Sequence, residues 1–201
     1  MNIEFEIAFP NTNHETIIEK IKTLWGNCKK KKTFMRRVIF FHPTDPCGYL
    51  RIRDEWGKIT TTYKYIPDWE LSIESIKELE CTVSDFETMK NIYIAMWLRE
   101  KAYQETRREV WEISGEIEIM LDEWPWLNPF IEIEWKTEEK VRKYVELLWL
   151  KYWDGIFWTV DQLYLRELSI PVDIINNHTP KLTFDNPPQV YVPPHLPQHV
   201  T

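Results

Sequence analysis

LRIRDEWGKITTTYK, residues 50–64, alternates between two faces on either side of a short turn and so reads as a β-hairpin. Arg51 and Arg53 share one face of its first strand; Thr62 and Lys64 share one face of its second. Three cations on one surface require something anionic opposite. Outward from the hairpin, the chain supplies carboxylates in the same two-residue rhythm: Glu4/Glu6, Glu78/Glu80 and Glu132/Glu134, with Glu116, Glu118 and Asp122 in step. Residues at that spacing lie on one face of a strand, about 6.5–7 Å apart. Like charges facing one another across neighbouring strands destabilise a sheet. These acids therefore need cations among them, either Arg51, Arg53, Lys64 and Arg108 or a bound metal. A single Glu-x-Glu reads most simply as a solvated strand face; three such pairs with an Arg-x-Arg in one small chain point further.

The rest of the chain frames that pattern. Residues 3–9 alternate with an apolar back of Ile3, Phe5, Ile7 and Phe9. Thr12-Asn13-His14-Glu15 matches a capping box and precedes Ile17, Ile18, Ile21, Leu24 and Trp25 at helical spacing. Lys29 to Lys32 reads as a solvated loop, because a run of like charge repels itself. Strands are expected over 34–41, 73–83, 101–113, 116–122 and 130–135. A second capping box, Ser84-Asp85-Phe86-Glu87, opens a second helix. A third helix is expected over 137–149 and a fourth within 154–168. Beyond Pro187 the density of proline predicts an extended tail, dividing the chain into a domain over 1–185 and a tail over 186–201. About eight strands joined by hairpins and helices make an antiparallel α+β arrangement. Helices can cover the apolar backs of these strands, while the charged fronts either face water or line the interior of a curled sheet.

Composition narrows the function classes. The 201 residues are 43% hydrophobic and 28% charged, which suits one soluble domain with a sizeable core. Three cysteines without a CxxC pair fit reduced thiols, and with no apolar run long enough to span a bilayer a cytoplasmic location is expected. A net charge of −7 argues against a general nucleic-acid binder. The histidines have no metal-ligand spacing, and the chain has no Gly-rich phosphate loop, GxSxG or HExxH motif. What remains is an all-oxygen donor set suited to a hard divalent ion such as Mg²⁺, beside arginines that match phosphate geometry. Acids for metal and bases for phosphate are the inventory of phosphoryl or nucleotidyl transfer.

In order along the chain, EFE near the N-terminus, LRIRDE…TYK, IKELECTVSDF, YQETRREVW, the aspartate of LDEWPWLNPF and FIEIEW resemble the CYTH superfamily of triphosphate tunnel enzymes. The C-terminal INNHTPKLTF is also similar to bacterial class IV adenylate cyclase-like proteins. The resemblance implies a closed eight-stranded antiparallel β-barrel, a tunnel with a charged interior and helices packed outside. It implies Glu4, Glu6, Glu132 and Glu134 as ligands of Mg²⁺ or Mn²⁺, assisted by Asp122. Arg51, Arg53, Lys64 and Arg108 would hold phosphate, and Glu78, Glu80 and Arg108 would act in catalysis, one of the acids orienting a water or a ribose hydroxyl. Arg107 alternates to the opposite face and ranks lower. The implied reaction is conversion of ATP to cyclic AMP and pyrophosphate; the alternatives are a thiamine or inorganic triphosphatase and a non-catalytic polyphosphate or nucleotide binder. A structural domain with a solvated charged sheet is the third class. The expected partner is a triphosphate-containing small molecule, with a homodimer an option and neither nucleic acid nor membrane.

Two departures from the family pattern bear on these expectations. Where the family opens Glu-x-Glu-x-Lys, this chain has Ala8, and loss of an ammonium from a phosphate site costs about 1.5–3 kcal/mol. The second is 11 Trp against only 5 Gly. By the resemblance, Trp25, Trp56, Trp97, Trp135, Trp149 and Trp158 fall where relatives carry glycine, several at turns or helix ends that exploit its freedom at positive φ. One reading is that UGA codons in the gene mean glycine in the host; the other is drift toward aromatic surface residues.

Overall fold

The computed structural model describes residues 2–3, 5–65, 77–157 and 159–188. Glu4, Trp158, the first part of the expected strand over 73–83 and nearly all of the proline-rich tail lie outside them. In chain order the elements are β1 (Asn2–Ile3), β2 (Phe5–Phe9), α1 (His14–Thr23), β3 (Asn27–Phe41), β4 (Gly48–Asp54), β5 (Ile59–Tyr65), β6 (Lys77–Val83) and α2 (Phe86–Ala95). They continue with β7 (Glu100–Ile113), β8 (Ile117–Glu123), β9 (Phe130–Trp135), α3 (Glu138–Leu147), α4 (Val160–Leu168), α5 (Val172–Asn177) and β10 (Lys181–Leu182).

One antiparallel sheet runs β1-β6-β5-β4-β3-β7-β8-β9-β2, with the short β10 added parallel to β7. Eight of its strands are five residues or longer, and the sheet curls as a half-barrel. The N-terminal segment takes part at both ends of that order: Asn2 pairs with Glu78 on β6, and Phe5 with Trp135 on β9. The hairpin read from residues 50–64 is β4–β5, with Arg51 opposite Thr62 and Arg53 opposite Thr60.

Helices cover the apolar backs of the strands. Ile7, Ile119, Ile131 and Ile133 from β2, β8 and β9 pack with Ile17 and Ile21 of α1 and Val141 and Val145 of α3. Each such side chain contributes about 1.5–3 kcal/mol on burial. Phe86 and Tyr93 of α2 cover Val38, Phe40 and Ile52. A third cluster joins Leu163 and Tyr164 of α4 and Ile175 of α5 to Ala8, Trp124 and Phe130.

Several local expectations shift. Asn13 rather than Thr12 caps α1, accepting from the Thr16 N–H, and Asp85 rather than Ser84 caps α2, accepting from the Thr88 N–H. The fourth helix falls within the expected stretch, at Val160–Leu168, and α5 is an addition to the expected elements. The lysine run is not a loop: residues 29–32 lie inside β3, whose register with β7 shifts on either side of Lys30. Carboxylates from β7, from β8 and from the turn after β4 balance the run. Lys29 pairs with Glu112 at 3.4 Å, Lys30 with Glu55 at 2.6 Å, and Lys32 with Glu123. No helix among the described residues is long and apolar enough to cross a membrane.

Candidate functional site

Strand alternation and register place most of the predicted charged residues on one face of the sheet. Glu6 and Ala8 of β2 sit opposite Glu134 and Glu132 of β9; Glu118 and Asp122 of β8 continue the face to Arg108 of β7. Across β3 it reaches Arg51 and Arg53 of β4, Thr60, Thr62 and Lys64 of β5, and Glu78 and Glu80 of β6. Arg107 falls on the other side, its guanidinium 4.0 Å from the Phe184 ring centroid.

Within this face the charges form local groups. Arg108 donates from Nε to Asp122 Oδ1 and from Nη2 to Asp122 Oδ2, both at 2.7 Å, and reaches Glu132 with the same Nη2. Asp122 is fully buried, and a two-point guanidinium–carboxylate fork is the arrangement that compensates its desolvation. Lys64 pairs with Glu78. Thr62 donates to Glu80 at 2.9 Å, and Arg51 and Arg53 stand 3.8 and 3.9 Å from the same carboxylate. Arg53 also bonds Glu55 at 2.8 Å.

Burial dominates the electrostatics of this face. Burial pushes the Glu6 carboxyl up to about 8, with the Glu132 and Glu134 charges adding to the rise while Lys64 and Arg108 oppose it. Lys64 is drawn down to about 8 by burial and by Arg51, with Glu6 and Glu132 opposing. Burial and Glu132 push Asp122 up to about 7 against the pull of Arg108. Glu132 itself is held low, burial being outweighed by Arg108, Asp122 and Lys64. Lys64 and Glu132 are separated by four strands in the sheet order.

Of the residues expected to ligate metal, Glu6, Asp122, Glu132 and Glu134 are on this face and Glu4 is outside the described residues. Among the described residues, no three His, Cys, Asp or Glu side chains come together as a group that could hold a metal ion. The donor chemistry nevertheless fits a hard divalent cation, because Glu6, Glu132 and Glu134 share one face and offer only oxygen.

The structure adds one cation that the sequence reading passed over. Arg37 of β3 lies opposite Arg53 and beside Gln104, 7% exposed, on the same face. Arg36 and Arg37 are adjacent in a strand with apolar residues on both sides, so alternation alone does not reveal which one turns inward. Arg36 is the outer one, over the Phe86 ring and bonded to Asp54.

Position 8 is filled rather than vacant. Ala8 is 6% exposed and packs in the apolar cluster that α4 and α5 build, with its backbone bridged to Ile156 in both directions at 2.9 and 2.8 Å.

No family model matches the sequence, and no curated protein matches it. Solved structures do. A conserved hypothetical protein of Pyrococcus furiosus is 23% identical with a TM-score of 0.66, over 80% of this chain and 99% of that one. A candidate adenylate cyclase of Vibrio parahaemolyticus is 12% identical with a TM-score of 0.67, over 81% and 97% of the two chains. A candidate adenylyl cyclase of Hippeastrum, whose dominant activity is that of a triphosphatase, is 14% identical with a TM-score of 0.56, over 86% and 99%. At these identities the shared property is the fold, which agrees with the resemblance to the CYTH superfamily read in the sequence.

Proposed function

We propose that this chain is a metal-dependent enzyme that takes the triphosphate of a small molecule into a closed β-tunnel and converts ATP to cyclic AMP and pyrophosphate. The observation that carries the reading is the register, which sets Glu6, Glu132, Glu134 and Asp122 and the bases Arg108, Arg51, Arg53 and Lys64 on one face of a curled sheet. Pairing of the N-terminal segment with both β6 and β9 supports closure. In this reading Arg51, Arg53, Lys64 and Arg108 hold the phosphate oxygens and stabilise charge that develops on them. Glu6, Glu132 and Glu134, with Glu4, would hold Mg²⁺ or Mn²⁺, which when bound supplies Lewis-acid neutralisation of the phosphates. Asp122 serves by fixing the Arg108 fork. Glu78 or Glu80 orients the ribose 3′-hydroxyl for attack at the α-phosphorus.

Hydrolysis is the second reading, with water attacking the γ-phosphorus of inorganic or thiamine triphosphate. It is favoured by the Hippeastrum neighbour's triphosphatase activity, whereas Ala8 in place of the motif lysine bears on the non-catalytic binder. The deciding experiment incubates purified protein with Mg²⁺ or Mn²⁺ and ATP, thiamine triphosphate or inorganic triphosphate. Cyclic AMP supports the cyclase and phosphate release the hydrolase. Saturable binding without either product makes the chain a binder, and no binding at all refutes the proposal.

A further inference from the structure

We propose that Arg37 and Thr60, with Arg53 between them, form an oxyanion cradle that takes one phosphate group of the triphosphate. The inference rests on the triphosphate reading and adds residues to it. Register aligns the three in one row across neighbouring strands, Arg37 opposite Arg53 and Arg53 opposite Thr60. Arg37 Nε, Arg53 Nε and Thr60 Oγ1 are all buried without a hydrogen-bond partner, as is Arg51 Nε one row away. Thr60 is 0% exposed. Two guanidiniums directly opposed across a ladder repel, and unmet buried donors carry a desolvation cost; one tetrahedral oxyanion relieves both. Arg51, Arg53 and Arg108 each have a carboxylate in reach. Arg37 instead meets neutral groups: Nη2 donates to Thr106 Oγ1 at 2.8 Å, and the guanidinium lies 4.7 Å from the Trp124 ring centroid. Those contacts hold its plane.

The test is titration of the purified full chain with inorganic triphosphate and Mg²⁺, alongside thermal denaturation without ligand. Arg37→Gln is expected to weaken binding by at least about tenfold. It should also leave the ligand-free melting temperature unchanged or raised, because it removes repulsion. Thr60→Val, nearly isosteric, should weaken binding several-fold without loss of stability. A purely structural Arg37 predicts the reverse, a lower ligand-free melting temperature with affinity retained. That result, or unaltered affinity in both variants, overturns the cradle alone. Failure of the unsubstituted chain to bind triphosphate overturns the triphosphate reading and the cradle with it.

A separate set of observations concerns the tryptophans. We infer that Trp25, Trp56, Trp97, Trp126 and Trp149 stand at glycine positions of the native protein, encoded by UGA read as glycine in its host. All five have φ between 57° and 66°, the left-handed region, and they are five of the eight non-glycine residues there among those described. Three occupy the same place in the same motif. Trp25, Trp97 and Trp149 follow the C-caps of α1, α2 and α3, and their N–H groups bond Lys22, Ile94 and Glu146 carbonyls at 3.1, 2.9 and 2.9 Å. The next N–H, of Gly26, Leu98 and Leu150, reaches back to Ile21, Tyr93 and Val145 at 2.9, 3.0 and 3.0 Å. That is the Schellman termination, whose left-handed residue is glycine by preference. Trp56 precedes Gly57 in the β4–β5 turn, where both residues have positive φ. Trp126 follows Pro125 in a turn closed by the Leu127 N–H to Trp124 carbonyl bond at 3.3 Å, the Pro-Gly position of a type II turn.

Exposure agrees: the helix-end tryptophans are 82–94% exposed, whereas Trp111 and Trp124 are buried. Trp135, which the family pattern also marks, ends β9 without positive φ. Reading the gene tests the inference. UGA is expected at all five codons and UGG at Trp111 and Trp124; UGG at any of the five overturns it. Peptide mass spectrometry of protein made in its own host supplies a second readout, with glycine expected at each.

Discussion

Replacing the helix-end tryptophans by glycine tests whether the backbone or the side chain decides these positions. A left-handed conformation costs an L-residue about 1–2 kcal/mol, and glycine gives back about half of that relief through its larger loss of backbone freedom. The net gain is about 0.5–1 kcal/mol per site where no side-chain contact is lost. Trp97, 94% exposed, meets that condition best. Trp149 gains least, because Lys20 Nζ lies 5.5 Å from its ring centroid and an exposed cation–π contact contributes about 0.5–1 kcal/mol. Trp25→Gly, Trp97→Gly and Trp149→Gly combined should raise stability by about 1–2 kcal/mol, or about 2–8 °C in melting temperature for a chain of this size. Urea denaturation and calorimetry of the tryptophan-bearing parent and the triple variant, side by side, measure it. Trp111→Gly is the control: Trp111 is 7% exposed and bonded to Glu109, so its loss should cost about 3–5 kcal/mol. A triple variant no more stable than its parent would refute the reasoning, because it would mean that the exposed rings repay the backbone strain.

Three further outcomes follow from the charged face. Ala8→Lys places an ammonium inside the cluster of Trp124, Phe130 and Leu163, so it should cost about 2–4 kcal/mol in urea denaturation and restore no triphosphate affinity; a stable, tighter-binding variant would contradict the packing argument. Arg108→Gln strips Asp122 and Glu132 of their shared cation and should destabilise the protein by about 3–5 kcal/mol near neutral pH, checked by the same denaturation. With Mg²⁺ and inorganic triphosphate at a hundred times the dissociation constant, stabilisation of about 2.7 kcal/mol is expected, and a chelator should abolish most of it; a melting temperature indifferent to chelation would refute metal dependence.

How much of the fold and site is legible in the sequence differs by element, for physical reasons. Alternation is local, so the β4–β5 hairpin, the strand faces of Glu6, Glu132 and Glu134, and the outward turn of Arg107 can be read from neighbouring residues. The lysine run misleads because a solvated loop and a strand whose neighbours supply carboxylates look identical until the neighbours are known. Helix ends blur by one residue for a similar reason: Ser84 and Asp85, or Thr12 and Asn13, are both competent caps, and geometry chooses between them. The strain at Trp126 is hidden because Trp-Pro-Trp looks like a rigid aromatic loop, and only its φ of 66° exposes the turn that Pro125 begins.

Ala8 and Arg37 are where the sequence is hardest to read, and they belong to one problem. Seen alone, alanine in place of a motif lysine is a deletion of charge from a phosphate site. In the fold, α4 and α5 from the far end of the chain bring an apolar cluster over position 8, together with Trp124, against whose ring Arg37 lies. An ammonium at position 8 would lie in that apolar packing, whereas a guanidinium entering from β3 lies against Trp124, in register with Arg53 and Thr60 and with its Nε unpaired. If Arg37 binds phosphate, a site missing one base is better described as a site whose base enters from a different strand. Arg37→Gln in an Ala8→Lys background separates the two descriptions. Should the ammonium at position 8 restore the affinity that Arg37→Gln removes, the two groups serve one phosphate; should affinity stay low, the cradle and the motif lysine address different oxygens.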